Sequence, residues 1–167
     1  MRTGSVVALG LAVIALVGCR DDAQRARDDR AIASYEQVVR EVAAPDGAFD
    51  PDPDPRTGDD RPVVYAVGLD GESIDPGVQA EVAKRVNGDI DLRFADDDDE
   101  VFDDDGTLEV VRGHGVLIEL GPMPDGDTDD FTVDGVWSRT RGEVQQVRFH
   151  LRRDADAITL TSTAMVD

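Results

Sequence analysis

Hydrophobic residues are concentrated at the start of the chain and recur in shorter patterns after it. Residues 6–18 form an apolar run that follows a single arginine, Arg2, and ends directly before Cys19. A basic start, an apolar stretch of this length and a small residue before a break are typical of a secretory signal peptide. The run is too short for a hydrocarbon core, which takes roughly 20 residues to cross. We therefore predict a signal peptide over residues 1–18.

Two stretches further along repeat apolar residues at helical spacing. Residues 31–44 predict an amphipathic helix that ends at Pro45. Its apolar positions lie three or four residues apart: Ile32, Tyr35, Val38, Val39 and Val42. In the second stretch Val78, Val82 and Val86 mark the inner face of a shorter helix. Asp75 is the expected N-cap of that helix and Pro76 its first residue.

The remaining apolar patterns are typical of strands. Residues 63–67, 90–94, 108–112 and 116–120 are short β-branched or alternating runs. The strand over 63–67, the second helix and the strand over 90–94 predict a crossover unit. From residue 131 to residue 166 three alternating segments are separated by turn residues, which predicts an antiparallel meander. The chain is therefore expected to adopt an α+β fold, with two helices packed on a mostly antiparallel sheet that ends in a three-strand meander.

Segments between these elements are polar. Residues 19–30 alternate charged residues with alanine, and we interpret them as a charged tether. Residues 45–62 contain repeated Asp-Pro pairs, which favour an extended surface loop or linker. Residues 96–106 are expected to form an acidic loop that holds Val101 and Phe102. The body over residues 63–167 is predicted to form one domain together with the helix over 31–44.

The residues Leu16-Val17-Gly18-Cys19 resemble the lipobox of bacterial lipoproteins. In that class a peptidase cuts before the cysteine, whose thiol carries a diacylglycerol and whose new amino group is often acylated, commonly with palmitate. The resemblance implies export, lipidation of Cys19 and a firm membrane anchor, because two or three acyl chains hold where one holds marginally. An ordinary signal peptide with a cysteine beside the cut is the alternative. Cys19 is the only cysteine, so the exported body must fold without an internal disulfide.

The cell envelope is the compartment that the lipobox resemblance implies. In a cell with two membranes, an inner-membrane retention signal carries Asp after the lipidated cysteine, whereas this chain has Arg20. The resemblance therefore implies the outer membrane. The segments Tyr35-Glu36-Gln37-Val38-Val39-Arg40 and 115–122 are also similar to those of small exported bacterial proteins of unknown function, a likeness that implies no activity.

The net charge limits the partners that the protein can have. The chain has a formal charge of −20, with 37 acidic residues against 17 basic ones. Nucleic acids and anionic lipid surfaces would repel such a chain. We therefore expect no nucleic-acid partner, a membrane contact through the lipid anchor, and an envelope protein as a further partner.

Residues for covalent or acid–base catalysis do not form a recognisable motif in the sequence. No Gly-x-Ser-x-Gly elbow is present, and the two histidines, His114 and His150, lie far apart without a second ligand at metal spacing. We interpret His114 as a turn residue and His150 as an outward-facing residue of a strand. Glu119 is expected to face outward and Trp137 to lie in the core. We therefore predict no catalytic residues, which favours a non-catalytic role.

Clustered aspartates are the only candidates for a metal site. Asp103 and Asp105 next to Gly106 resemble the centre of an EF-hand loop, but Val101 and Arg112 occupy its first and last ligand positions. A second loop has the acid spacing without the glycine, at Asp125, Asp127 and Asp129. Both loops are candidates for loose Ca²⁺ binding at the surface, with solvated loops as the alternative. Apart from the lipid on Cys19 and this Ca²⁺, no cofactor is expected.

Three functional hypotheses follow from these observations. The first is a lipid-anchored envelope protein with a non-catalytic binding or structural role. The second is a calcium-responsive acidic surface module, which requires the loops over 96–105 and 125–130 to converge. The third is a carboxylate-based hydrolase, which requires a pocket with two acids in unlike environments.

Overall fold

A single eight-stranded sheet carries two α-helices on one of its faces. The computed structural model describes residues 10–45, 49, 51–104, 106–126, 128–155 and 157–166, and the side chains of the first helix from residue 22 onward. The helices are α1 (Gly10–Val42) and α2 (Pro76–Val86). The strands are β1 (Val63–Gly68), β2 (Asp91–Phe94), β3 (Phe102–Asp104), β4 (Glu109–Val111), β5 (Val116–Leu120), β6 (Asp130–Thr140), β7 (Glu143–Asp154) and β8 (Ala157–Val166).

The strands lie in the order β2-β1-β5-β6-β7-β8, and the β3–β4 hairpin joins the sheet through β6. β4 pairs with β6 at Thr140, beyond the part of β6 that pairs with β5. β1 runs parallel to both β2 and β5, and the other pairs are antiparallel. The predicted α+β fold, the mostly antiparallel sheet and the closing meander are confirmed. The predicted crossover is also present, since β1 and β2 are parallel and α2 connects them.

Helix α2 begins as its sequence predicts. The Asp75 carboxylate accepts hydrogen bonds from the backbone N–H of Gly77 at 2.7 Å and of Val78 at 3.3 Å. These bonds satisfy donors that have no partner within the first turn of a helix. The valines of the predicted inner face, Val78, Val82 and Val86, are all buried.

The main core lies between the sheet and the two helices. It includes the apolar stripe of α1 and every second residue of the central strands, among them Val64, Ile118 and Phe149. Trp137 is buried here, as predicted, and Phe49 packs edge-on against its ring with centroids 5.3 Å apart. Burial of these side chains is the main stabilising contribution to the fold.

A second, smaller core covers the opposite face of β1. Val63, Tyr65 and Val67 pack there against the β3–β4 hairpin, including Phe102. The prediction that residues 96–106 form a loop is therefore wrong in part, because Phe102–Asp104 is strand β3, paired with β4. Three residues are too few for an alternating pattern to be recognised, and two of the three are aspartates.

Helix α1 begins much earlier than the sequence suggested. Residues 19–30 were expected to be a tether, but they continue the helix from Gly10. Alanine, arginine and glutamine favour helix, and local pairs support it: Arg25 with Asp22 at 3.0 Å and Gln24 with Asp28 at 2.8 Å. In the described part of the chain, no helix has the length and apolar character needed to span a membrane.

The Asp-Pro segment over residues 45–62 was expected to be either a surface loop or a linker, and its described residues pack on the body. The backbone N–H of Asp52 donates to the carbonyl of His114, and the carbonyl of Asp52 accepts from the N–H of Val63 at 3.2 Å. Pro53 and Pro62 form an isolated β-bridge. Phe49 and Asp54 are buried. In its described residues, the segment is therefore an ordered loop of the domain.

Candidate functional site

The carboxyl ends of the three parallel strands define one edge of the sheet. β2, β1 and β5 run in the same direction, so the loops that follow them emerge side by side. Ligand sites of parallel sheets are commonly found at such an edge. Two features lie here on opposite faces of the sheet: a cleft on the face that carries the helices, and a cluster of carboxylates on the other face.

The cleft has a volume of about 210 Å³. Its walls come from α1, from the loop between β1 and α2, and from the loop after β5. Its floor is apolar and includes Ala31, Ile74, Val78, Leu120 and Met123. Its polar side chains are those of Arg27, Asp28, Tyr35, Glu72, Ser73 and Asp75. An apolar floor with a few polar groups around it is the usual composition of a small binding site.

Tyr35 connects α1 to the loop after β5. Its hydroxyl donates a hydrogen bond to the carbonyl of Gly121 at 3.0 Å. Burial, and secondarily the negative charge of Glu72, raise the pKa of Tyr35 to about 12. At neutral pH the hydroxyl is therefore protonated and engaged. Tyr35 can hold the cleft in shape through this bond, but it is not suited to accept a proton.

A tight turn after β1 places Glu72 at the mouth of the cleft. The backbone N–H of Glu72 donates to the carbonyl of Leu69 at 3.1 Å, and Asp70 adopts a positive φ of 57°. A Cβ on Gly68 would lie 1.5 Å from the Glu72 carbonyl oxygen, so only glycine fits at the start of the turn. The glycine therefore allows the polar side of the cleft to form.

The charges around the cleft favour a ligand with a positive group. Asp75 is engaged as the helix cap and Asp28 accepts a hydrogen bond from Gln24, while Glu72 is exposed. Arg27 is the basic side chain of the cleft. With three carboxylates against one guanidinium, the arrangement can hold a small apolar group that carries a cation or hydrogen-bond donors.

The carboxylate cluster lies on the opposite face. Asp97, Asp98 and Asp99 each have a carboxylate oxygen within 4.8 Å of those of the other two. Glu119 is half-buried at the end of β5, and burial, then the charges of Asp98 and Asp70, raise its pKa. Because these groups repel one another, the cluster is a place where a hard cation would relieve unfavourable charge.

The pKa values of two aspartates in this cluster are shifted in opposite directions. Burial, and then a hydrogen bond with Asp97, raise the pKa of Asp98. The pKa of Asp97 is lowered, first by the backbone N–H of Asp99 and then by the bond with Asp98. Arg141 lies 2.6 Å from a carboxylate oxygen of Asp99 and offsets part of the charge.

The described aspartates among those predicted to bind metal are not part of this cluster. Asp103 forms ion pairs with Arg112 at 2.9 Å and Arg56 at 3.3 Å, and Asp129 pairs with Arg153 at 3.2 Å. Asp125 is exposed, and Asp105 and Asp127 lie outside the described residues. Ca²⁺ binding by these loops stays a prediction. The calcium hypothesis included the loop over 96–105 but did not name Asp97–Asp99 as ligands, although residues 96–99 are four consecutive aspartates.

The remaining residues with predicted roles are placed as follows. His114 lies in a turn with a positive φ of 59°, which confirms its interpretation. His150 and Glu119 alternate with core residues on their strands. The side chain of Cys19 lies outside the described residues, as do residues 1–9, so lipidation stays a prediction.

No family model matches this chain, and neither a curated protein nor a solved structure matches it.

Proposed function

We propose that this protein is an exported lipoprotein, anchored through Cys19, whose α+β body is a non-catalytic binding module of the cell envelope. The anchor is supported by the residues Leu16-Val17-Gly18-Cys19. The binding role is supported by one observation above all, the cleft between α1 and the carboxyl ends of β1 and β5.

The course of α1 is compatible with an anchor at its N-terminal side. Side chains 22–27 are exposed, and the first buried residue among the described side chains is Ile32, thirteen positions after Cys19. At about 1.5 Å per residue, this stretch of helix would separate Cys19 from the body by roughly 20 Å. The side chains of residues 22–26 are exposed and do not line the cleft, so lipidation at Cys19 would leave the core and the cleft intact.

The state of Tyr35 favours binding over catalysis in the cleft. Its hydroxyl already donates to Gly121, and its pKa of about 12 keeps it protonated. The carboxyl groups whose pKa is raised, Glu119 and Asp98, do not line the cleft. For these reasons the carboxylate-hydrolase hypothesis finds no support in the geometry of the cleft.

The anchor is tested by mass spectrometry and membrane fractionation of the full chain beside Cys19→Ser. The wild type should carry a lipid-sized mass increment and sediment with membranes, and Cys19→Ser should lose both. Ala23→Ser, four residues further on in α1, is the matched control and should behave as wild type. A soluble, unmodified wild type would contradict the anchor.

The binding role is tested by site-specific photo-crosslinking in cells. A photoreactive residue at Ser73, which is exposed beside the cleft, should give a defined adduct with an envelope component. The same residue at Ala80, on the exposed side of α2, is the control. Ala31→Phe, which fills the cleft, should abolish the Ser73 adduct. Equal adducts at Ser73 and Ala80, or an adduct unaffected by Ala31→Phe, would contradict binding in the cleft.

A calcium-responsive role is the second candidate. It is favoured by the proximity of the carboxylate oxygens of three consecutive aspartates, Asp97, Asp98 and Asp99. Titration calorimetry with millimolar Ca²⁺ should show heat of binding in the wild type and none in Asp98→Asn. Asp125→Asn, an exposed aspartate of the other acidic loop, separates the two sites. A flat titration of the wild type would remove this candidate, and loss of heat only in Asp125→Asn would move the site to the other loop.

A further inference from the structure

Strand β8 is an edge strand without the features that usually prevent edge pairing. It pairs only with β7 among the described strands, spans ten residues and contains neither a charged residue nor proline. The other edges are short and charged: β2 has four residues including Asp91 and Arg93, and β3 has three residues of which two are aspartates. Short strands and inserted charges are the common means of blocking edge-to-edge association. β8 lacks both.

Exposed apolar side chains lie at one end of the two-stranded ribbon formed by β7 and β8. Among the described residues, four large hydrophobic side chains are exposed, and three of them belong to β7 and β8: Val144, Met165 and Val166. Met165 is opposite Val147 in the β7–β8 ladder, and Val166 is opposite Gln146. Because strand residues alternate, Met165 faces the side that carries the helices, as Val147 does, and Val144 and Val166 face the other side. Exposed apolar side chains therefore flank the C-terminal end of the β8 edge on both faces of the sheet.

The ribbon is also much less acidic than the chain as a whole. β7 and β8 together carry three arginines against two carboxylates, Glu143 and Asp154, whereas the whole chain has a charge of −20. Two copies that approach each other elsewhere would meet as like charges, but two β8 edges would not. A basic partner, in contrast, would be drawn to the acidic loops. The distribution of charge therefore favours a second copy of this chain at β8.

A β-bulge limits the part of β8 that can pair. The register between β7 and β8 shifts after His150, which leaves Thr161 as an extra residue, with its hydroxyl bonded to the carbonyl of His150 at 3.0 Å. A bulge bends and twists its strand. Beyond it, Ser162–Val166 is regular, and the Thr163 hydroxyl donates to Glu41 of α1 at 3.2 Å, which holds this half against the helix.

We propose that two copies of this chain associate through antiparallel pairing of β8 over residues 162–166. The two sheets then continue into each other across a two-fold axis at Ala164. Ser162 lies opposite Val166 of the second copy, and Thr163 lies opposite Met165. Such an interface is isologous and self-complementary, as closed dimers require. The small side chain at the axis lets the two backbones approach.

The proposal is tested by disulfide formation in membranes that contain the full chain. Ala164→Cys should give a covalent dimer under mild oxidation. Ala157→Cys, in the other half of the same exposed strand, is the matched control and should give little. Ser162→Lys combined with Ala164→Cys should remove the dimer band, because two lysines would enter the interface. Far-ultraviolet circular dichroism checks that each purified variant is folded.

Mass measurement in detergent gives a second readout that does not depend on cysteine chemistry. Light scattering after size-exclusion chromatography should report a dimer for the wild type and for Ala157→Lys, and a monomer for Ser162→Lys. A monomeric wild type, equal crosslinking at positions 157 and 164, or adducts of Ala164→Cys with other proteins only would overturn the proposal.

Discussion

The carboxylate of Asp54 lies 3.0 Å from Nε of Arg56 and 3.7 Å from a guanidinium nitrogen of Arg93, although its side chain is only 3% exposed. Gly113 packs directly over it, because a Cβ on Gly113 would come within 2.8 Å of the Asp54 carboxylate. Asp54 thereby fastens the Asp-Pro loop to the smaller core on the face of the sheet opposite the helices. Removing one member of such a buried ion pair leaves the other charge without compensation, which destabilises the fold.

Asp54→Asn should destabilise the protein, and the loss should depend on pH. Hydrogen bonds from Arg56 hold the pKa of Asp54 below its usual range. The stabilisation is therefore complete above the unfolded-state pKa of about 3.9 and is lost as the pH falls toward the lower pKa of the folded state. Thermal melts should show a gap between wild type and variant at neutral pH that closes in acid. Asp60→Asn, an exposed residue of the same loop, should show no such gap.

Gly68→Ala should disrupt the turn that forms the mouth of the cleft. The new Cβ would overlap the Glu72 carbonyl oxygen, and we expect a loss of at least about 2 kcal/mol in the free energy of unfolding. Gly88→Ala is the control, because nothing lies within 4 Å of a Cβ at that position. Urea unfolding of the two variants measures the difference. Equal stability of the two variants would mean that the turn relaxes without cost.

Tyr35→Phe should remove one hydrogen bond and one titration step. We expect a loss of about 1 kcal/mol, because the Gly121 carbonyl is left without this donor. Burial raises the pKa of Tyr35 to about 12, so wild-type stability should fall as the pH rises beyond about 10, where the unfolded state ionises.

Ultraviolet absorbance of tyrosinate follows this titration. Tyr35→Phe should lose the step near 12, whereas Tyr65→Phe should keep it. A wild type without an absorbance step near pH 12 would contradict the burial of the Tyr35 hydroxyl.

Glu119→Gln should stabilise the protein at neutral pH. Burial and the charges of Asp98 and Asp70 raise the pKa of Glu119, so its charged form opposes folding as the pH rises above about 4.3. We expect the melting temperature to rise by on the order of 2 °C near pH 7, with no gain below pH 4. Glu109→Gln is the contrasting control, because Glu109 lies 2.8 Å from Arg141 and should gain nothing. A lower melting temperature for Glu119→Gln at neutral pH would show that its charge has a stabilising partner.

Local patterns were sufficient for much of the fold. The spacing of Val78, Val82 and Val86 and the Asp75-Pro76 start predicted α2 to the residue, because capping and helical periodicity act within a few positions. Alternation also predicted the three antiparallel strands β6, β7 and β8, since side chains of a strand alternate between its two sides.

The candidate site depended on relations that no local pattern contains. The parallel pairing of β1 with β5 brings Gly68, Glu72 and Leu120 to one cleft, although strand β5 is nearly fifty residues further along the chain. Alternation tells which side a residue faces, but not which strand lies beside it. For the same reason the sequence did not indicate which charges lie near Glu119. The charge of Asp98, which raises the pKa of Glu119, is brought close by the loop after β2.

By itself, the amino-acid sequence determined the α+β class, most of the strands and helix α2 with its cap, because each rests on interactions between residues close in the chain. Only the tertiary structure decided that Asp54 is buried, and that the cleft and the carboxylate cluster share one edge of the sheet. Those outcomes depend on which distant segments pack together. That choice is made by the burial of the whole core and by the pairing of its charges, and not by any single stretch of sequence.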